Sequence, residues 1–194
     1  MAGRIGTMDK AGTTALLVID VQVGLVQPAV GEALHDAQGL LARIGRLIAA
    51  ARDAGLPVIF VRHDGGAGDE LQAGTPGWQL HPALGARPGE PVVEKQHPDS
   101  FRGTNLGALL RQLRVQRLVL CGAQSDYCVD TTCRRAASEG FAVVLAADAH
   151  STVGNSVIDA ATIIRHENRT LGSFARVADS AALLAEGLGA GSGA

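Results

Sequence analysis

Four positions carry side chains able to do chemistry together: Asp20, His63, Lys95 and Cys128. Each ends or closely follows a short apolar run. The runs are "ALLVID" (15–20), "VIFVRH" (58–63), "PVVEK" (91–95) and "RLVLCG" (117–122), the last leading through "AQSDY" to Cys128. If these runs are strands of a parallel sheet, their carboxyl ends share one edge, where ligands bind in open α/β sheets. A thiol opening a helix feels the positive end of the helix dipole, and a nearby cation lowers its pKa further. Lys95 can supply that cation. Asp20 can take and return the thiol proton, and the turn before Cys128 can aim backbone N–H groups at an oxyanion. Each residue also has a plainer reading. An acid at a strand end can cap a helix or join a structural ion pair. Cys121 in an apolar strand and Cys133 inside a helix read as packing. Cys128 alone is compatible with a core residue, a metal ligand, a disulfide partner or a nucleophile.

The elements that must position these groups follow from periodicity. Residues 36–54 carry apolar side chains at 40, 41, 44, 47, 48 and 51, a helical spacing stopped by "GLP". Helices are also expected at 104–115, 128–140 (closed by Gly140), 155–169 and 180–188, with a fifth strand at 141–149 and a sixth at 174–179. Continuous apolar strands alternating with helices predict a parallel sheet covered on both faces. The segment "DGGAGDELQAGTPGWQLHPALGARPGE" (64–90) is long, rich in Gly and Pro, and poorly periodic. Loops of that length in compact domains tend to be functional or mobile. One domain over 14–187 is expected, with tails at 1–13 and 188–194 and Met8 as an alternative start to Met1.

Composition narrows the classes. The chain has 194 residues, 46% hydrophobic, with a formal net charge of −2, which points to neither nucleic acid nor an anionic membrane as partner. No apolar run approaches the roughly 20 residues of a membrane span, and the first residues lack an apolar signal core, so a cytoplasmic location is expected. Three cysteines, at 121, 128 and 133, form neither an even disulfide set nor a zinc pattern. Of 17 basic residues only Lys10 and Lys95 are lysines, so Lys95 is the one lysine in the domain body. Lysine is the cation whose pKa moves readily on burial. "VIDVQVGLVQ" after the first strand lacks G-x-G-x-x-G, which argues against dinucleotide binding.

The blocks "LLVIDVQVGL", "VVEKQHPDSFRGTNL" and "LVLCGAQSDYCVDTTCRRAASEGFAVVLAADAHST", with the later "IIRHENRTLGSFARV", resemble the isochorismatase-like cysteine hydrolase superfamily, in order from about residue 14 to 180. The resemblance implies a three-layer α/β/α sandwich with a six-stranded parallel sheet, and a homo-oligomer, dimer or tetramer. It implies a triad of Asp20, Lys95 and Cys128, a cis peptide bond at Ala123–Gln124, and an oxyanion hole from the backbone N–H groups of Gln124 and Cys128.

Two departures bear on function. Nicotinamidases of this superfamily hold a metal through an Asp and several His after the second strand. Here His63, Asp64 and His81 fall in that region, but the histidines lie 18 positions apart, so no metal and no other cofactor are expected. Isochorismatases that cleave a vinyl ether need no nucleophilic thiol, so Cys128 favours amide chemistry. The expected reaction is hydrolysis of a C–N bond in a small amide, ureide or carbamoyl substrate through a thioester on Cys128. The alternatives are vinyl ether hydrolysis, hydrolysis of a cyclic amide such as a streptothricin-like lactam, and a non-catalytic relative acting as a binding or scaffold protein. Aromatics make up only 3% of the chain, which marks Trp78, Phe101 and Tyr127 as candidate substrate contacts, Trp78 from this or a neighbouring subunit. Core packing is the alternative for Phe101. Gln22 and His97 are candidate polar contacts.

Overall fold

A computed structural model of the chain describes residues 13–189. The expected tails, Lys10 and the two candidate start methionines lie largely or wholly outside the described residues. Six strands form one parallel sheet: β1 (Thr13–Ile19), β2 (Val58–His63), β3 (Val92–Lys95), β4 (Val115–Ala123), β5 (Ala142–Ser151) and β6 (Arg176–Ala178). Their order is β3-β2-β1-β4-β5-β6, with every pairing parallel. The direction of the strand order reverses between β1 and β4, the switch point at which open α/β sheets bind ligands. Asp20 and the Cys128 turn flank that point.

Among the described residues six helices accompany the sheet: α1 (Val23–Val26), α2 (Ala37–Asp53), α3 (Leu106–Gln112), α4 (Asp130–Ser138), α5 (Ala160–Leu171) and α6 (Ser180–Glu186). Side chains alternate across the strands, so the central strands feed two cores. On one face Leu16, Val18, Phe60 and Val119 pack against Leu40, Ile44, Leu47 and Ile48 of α2 and Leu183 of α6. On the other, Leu17, Ile19, Ile59 and Leu120 meet Leu106 and Leu110 of α3, Cys133 and Ala136 of α4, and Leu171 of α5. Cys121 and Cys133 are fully buried in these cores. The central strand β1 is apolar through its middle because both faces are covered, whereas the edge strands β3 and β6 expose Val92, Glu94 and Arg176.

Some boundaries differ from the sequence expectation, for local reasons. The helix expected at 128–140 begins at Asp130 and is preceded by a π-helical turn, Ser125–Val129. There Tyr127 N–H and Val129 N–H both donate to Gln124 O, at 3.2 and 3.1 Å. π turns recur at functional sites because they push one residue out of helical register. The helix expected at 155–169 starts at Ala160, where the Asp159 side chain caps Thr162 N–H. The sixth strand is only three residues long. The 64–90 segment contains a 3₁₀ turn, Pro82–Leu84, and is stitched to the sheet end by an antiparallel bridge between Gln22 and Leu80.

Two features hold the carboxyl edge of the sheet. Gly122 of β4 lies opposite Ile19 with φ +126°, and a Cβ there would sit 2.0 Å from Ile19 O. Only glycine permits that approach. His150, at the end of β5, is buried and ties three elements together. Asn168 Nδ2 donates to Ala147 O at 2.9 Å, which leaves Asn168 Oδ1 to accept His150 Nε2–H at 3.0 Å. His150 Nδ1 therefore accepts from Ser125 Oγ at 2.8 Å, anchoring the π turn to β5 and α5.

Gly122→Ala is therefore expected to destabilise the fold by at least about 3 kcal/mol, measured by urea unfolding. Burial pushes the His150 pKa below its ordinary 6.5, despite its hydrogen bond to Asn168. As pH falls through 6.5 the unfolded chain takes the proton first, so stability falls as pH drops below that value. His150→Gln is expected to cost about 1–3 kcal/mol at neutral pH, through the lost hydrogen bonds, but to show a shallower acid decline in unfolding free energy.

Candidate active site

Asp20 follows β1 with φ +49°, a left-handed conformation that Asp tolerates better than most residues. Its N–H donates to Val61 O at 3.0 Å, fixing the turn at the sheet edge. Lys95 ends β3, and its side chain is completely buried. Its Nζ lies 2.6 Å from Asp20 Oδ2 and donates to Cys128 Sγ at 3.1 Å. A third contact reaches His63 Nδ1 at 3.3 Å. The structure thus brings Asp20, Lys95 and Cys128 together, with His63 as a fourth member. Neither Asp20 carboxylate oxygen accepts a backbone hydrogen bond among the described residues. The Ala123–Gln124 peptide bond is cis.

Three members of the cluster, Asp20, His63 and Cys128, line a cavity of about 290 Å³, while the Lys95 side chain is buried. Asp20, His63, Gln96, Gln124 and Cys128 supply its polar lining, while Leu25, Leu71 and Pro98 supply apolar surface. Tyr127, 55% exposed, stands at the rim. The π turn under Cys128 is held by the Ser125–His150 contact and by Thr152 Oγ1, which donates to Asp126 Oδ1 at 2.6 Å. On the opposite side Ser100 N–H donates to Thr132 Oγ1, joining the loop after β3 to α4.

The electrostatics differ from the sequence expectation. A helix dipole was expected to lower the Cys128 pKa. Instead, burial and the adjacent Asp20 charge push the thiol up to about 12, outweighing the opposing effect of Lys95. Cys128 lies in the π turn ahead of α4, and desolvation disfavours its thiolate. The resting group is a thiol that needs a base. For Lys95, burial favours the neutral amine, but the Asp20 charge and the hydrogen bonds to Asp20 and Cys128 raise its pKa. The ammonium is therefore the stable form.

Several expected contacts lie elsewhere. Gln22 is fully buried and engaged with backbone: its Nε2 donates to His63 O and to Trp78 O, each at 2.9 Å, and its Oε1 accepts His63 N–H at 2.8 Å. It braces the site rather than meeting a substrate. Trp78 is outside the cavity lining, its ring covered by the Arg62 guanidinium 3.3 Å from the centroid. Phe101 packs on Phe141 with ring centroids 6.0 Å apart, in the core beneath the site. His97 faces a neighbouring depression with Asp64, Glu94 and Arg102. Of the five expected substrate contacts, only Tyr127 lines the cavity. The sequence reading missed Leu25, Leu71, Gln96 and Pro98. Gln96 and Pro98 were detectable from their place just after Lys95. Leu25 and Leu71 carried no signal, because the one-turn α1 and the 64–90 segment have no readable period.

The residues after β2 that could recruit a metal are otherwise engaged. His63 meets Lys95, and the His81 ring accepts Ala83 N–H. Asp64 accepts from Gly66, Ala73 and Gln96. Among the described residues no three His, Cys, Asp or Glu side chains converge as a metal site. No helix among them is long and apolar enough to cross a membrane.

With this geometry in place, comparison with known proteins is informative. A family model described as the Isochorismatase domain matches residues 14–181. A streptothricin hydrolase of Streptomyces noursei is 44% identical over 138 residues, covering 71% of this chain and 49% of that protein. The chain thus spans about half the length of the streptothricin hydrolases it matches. The isochorismatase family protein YecD of Escherichia coli is 34% identical, covering 87% of this chain and 92% of that one. Among solved structures, an isochorismatase hydrolase from Oleispira antarctica superposes with a TM-score of 0.84 at 30% identity, covering 94% of this chain and 100% of the other. Fold, strand-end chemistry and sequence similarity converge: the chain belongs to the isochorismatase family.

Proposed function

We propose that the protein is a cysteine hydrolase that cleaves the C–N bond of a small amide, ureide or carbamoyl compound through a thioester on Cys128. The observation that carries this reading is the buried Lys95 ammonium touching at once Asp20 and Cys128, both of which line a cavity sized for a small molecule. The reading is supported by relatives: a ureidoacrylate amidohydrolase of Variovorax paradoxus is 28% identical, covering 81% of this chain and 76% of that enzyme. The 44% identity to streptothricin hydrolase favours a second reading, with streptothricin itself as substrate.

The resting thiol sets the order of events. Asp20 takes the Cys128 proton as Sγ attacks the substrate carbonyl, and the carbonyl oxygen becomes an oxyanion facing the backbone N–H groups of Gln124 and Cys128. Lys95 stays protonated and offsets the charge that moves from carboxylate to sulfur. As the tetrahedral intermediate collapses, the C–N bond breaks and the Asp20 carboxyl returns its proton to the leaving nitrogen. A water then gives a proton to Asp20 and attacks the thioester carbon. The C–S bond breaks, the acid product leaves, and the proton on Asp20 restores the thiol. Vinyl ether hydrolysis would leave the Lys95-bound sulfur without a role.

Incubation with streptothricin, ureidoacrylate and simple primary amides, followed by intact mass, is expected to show an acyl adduct on Cys128. Cys128→Ala and Asp20→Asn are each expected to lower turnover by at least about 10³-fold while leaving the unfolding transition cooperative. Wild-type turnover by the Cys128→Ala protein, or pyruvate release from isochorismate with no amide turned over, would refute the assignment.

A further inference from the structure

Lys95 presents three N–H donors and no acceptor. Its side chain has no solvent exposure, so each donor needs a protein partner. Asp20 Oδ2 takes one at 2.6 Å and Cys128 Sγ another at 3.1 Å. The remaining contact is His63 Nδ1 at 3.3 Å. An ammonium can only donate, so Nδ1 must be the bare, accepting nitrogen and the imidazole proton must sit on Nε2. We propose that His63 is a positioning residue: a neutral Nε2–H imidazole whose Nδ1 accepts the third N–H of Lys95 and holds the ammonium against Asp20 and Cys128. This inference rests on the cysteine hydrolase reading of the site.

A second observation supports it. Gln22 grips both the N–H and the C=O of His63 and is itself fully buried, so the backbone carrying the imidazole is fixed from behind. The charged groups facing His63 are Lys95 on β3, Asp20 after β1, and Asp64 and Asp69 in the segment after β2. Burial and the Lys95 charge keep the imidazole neutral to below its ordinary 6.5, against the opposing pull of the three acids. Protonation would set an N–H against the ammonium and break the tripod. Loss of the acceptor would leave an unpaired donor in a dry site, and Lys95 would no longer be held where its charge and hydrogen bond favour the Cys128 thiolate.

The test combines spectroscopy on the intact protein with a chemical probe. Long-range ¹H–¹⁵N spectra of ¹⁵N-histidine-labelled protein are expected to show His63 as the neutral Nε2–H tautomer, with its titration midpoint below 6.5. An Nδ1–H tautomer, or a midpoint at or above 6.5, overturns the proposal. Alkylation of Cys128 by iodoacetamide, followed by intact mass at about pH 7.5, is expected to slow by about tenfold in His63→Leu, one pKa unit of thiolate. In His63→Asn, whose side-chain oxygen can still accept, the rate is expected to stay within about threefold of wild type. Equal slowing in both variants would mean that His63 only fills space, and would also overturn the proposal. If no amide leaves an acyl adduct on Cys128 while the tautomer is as stated, the nucleophile reading fails and the positioning of Lys95 stands.

Discussion

A buried ammonium is costly unless its charge is matched and its donors are paired. Lys95 meets both conditions at the carboxyl edge of the sheet, against Asp20 at 2.6 Å and Cys128 at 3.1 Å. Much of the local architecture serves that contact. β1 and β3 are separated only by β2, so their last residues project to the same edge. The left-handed turn at Asp20, the close approach at Gly122 and the π turn beneath Cys128 then set the three groups facing one another. If Asp20 or Lys95 were removed, the other's buried charge would be left uncompensated, which is why the pair behaves as a unit.

The same burial explains why the sulfur rests as a thiol. Desolvation and the Asp20 carboxylate act against the thiolate, and Lys95 only partly offsets them. In the proposed reaction this is useful: proton transfer is coupled to attack, and the dry pocket holds no standing thiolate open to adventitious oxidation. Cys121, raised by burial alone, and Cys133, raised chiefly by burial, sit in the two cores away from the Asp20–Lys95 pair.

The sheet, its two covered faces and the Asp20–Lys95–Cys128 set were legible because they depend on periodicity and on residues at strand ends. Both rules use only local sequence plus the general geometry of parallel sheets. What failed depended on where side chains turn after the strand ends. Gln22 sits two residues beyond Asp20 yet points inward to brace His63. Phe101 borders the cleft in sequence but packs beneath it on Phe141. Trp78 is occupied by Arg62, a pairing between a strand and a long segment with no period. The π turn was missed because a helix opening at Cys128 looks regular until the double acceptance by Gln124 O is seen. The direction of the Cys128 shift was misread for a related reason: sequence shows a helix start, while burial appears only once the chain is folded.

The central physical claim is that Cys128 is held as a thiol beside a carboxylate–ammonium pair. It is tested most directly by the titration of its Cβ resonance in protein labelled with ¹³C-cysteine. A Cys128 signal that stays at the thiol position through neutral pH and moves only toward about 12 is the predicted result. A signal already at the thiolate position at neutral pH would contradict it.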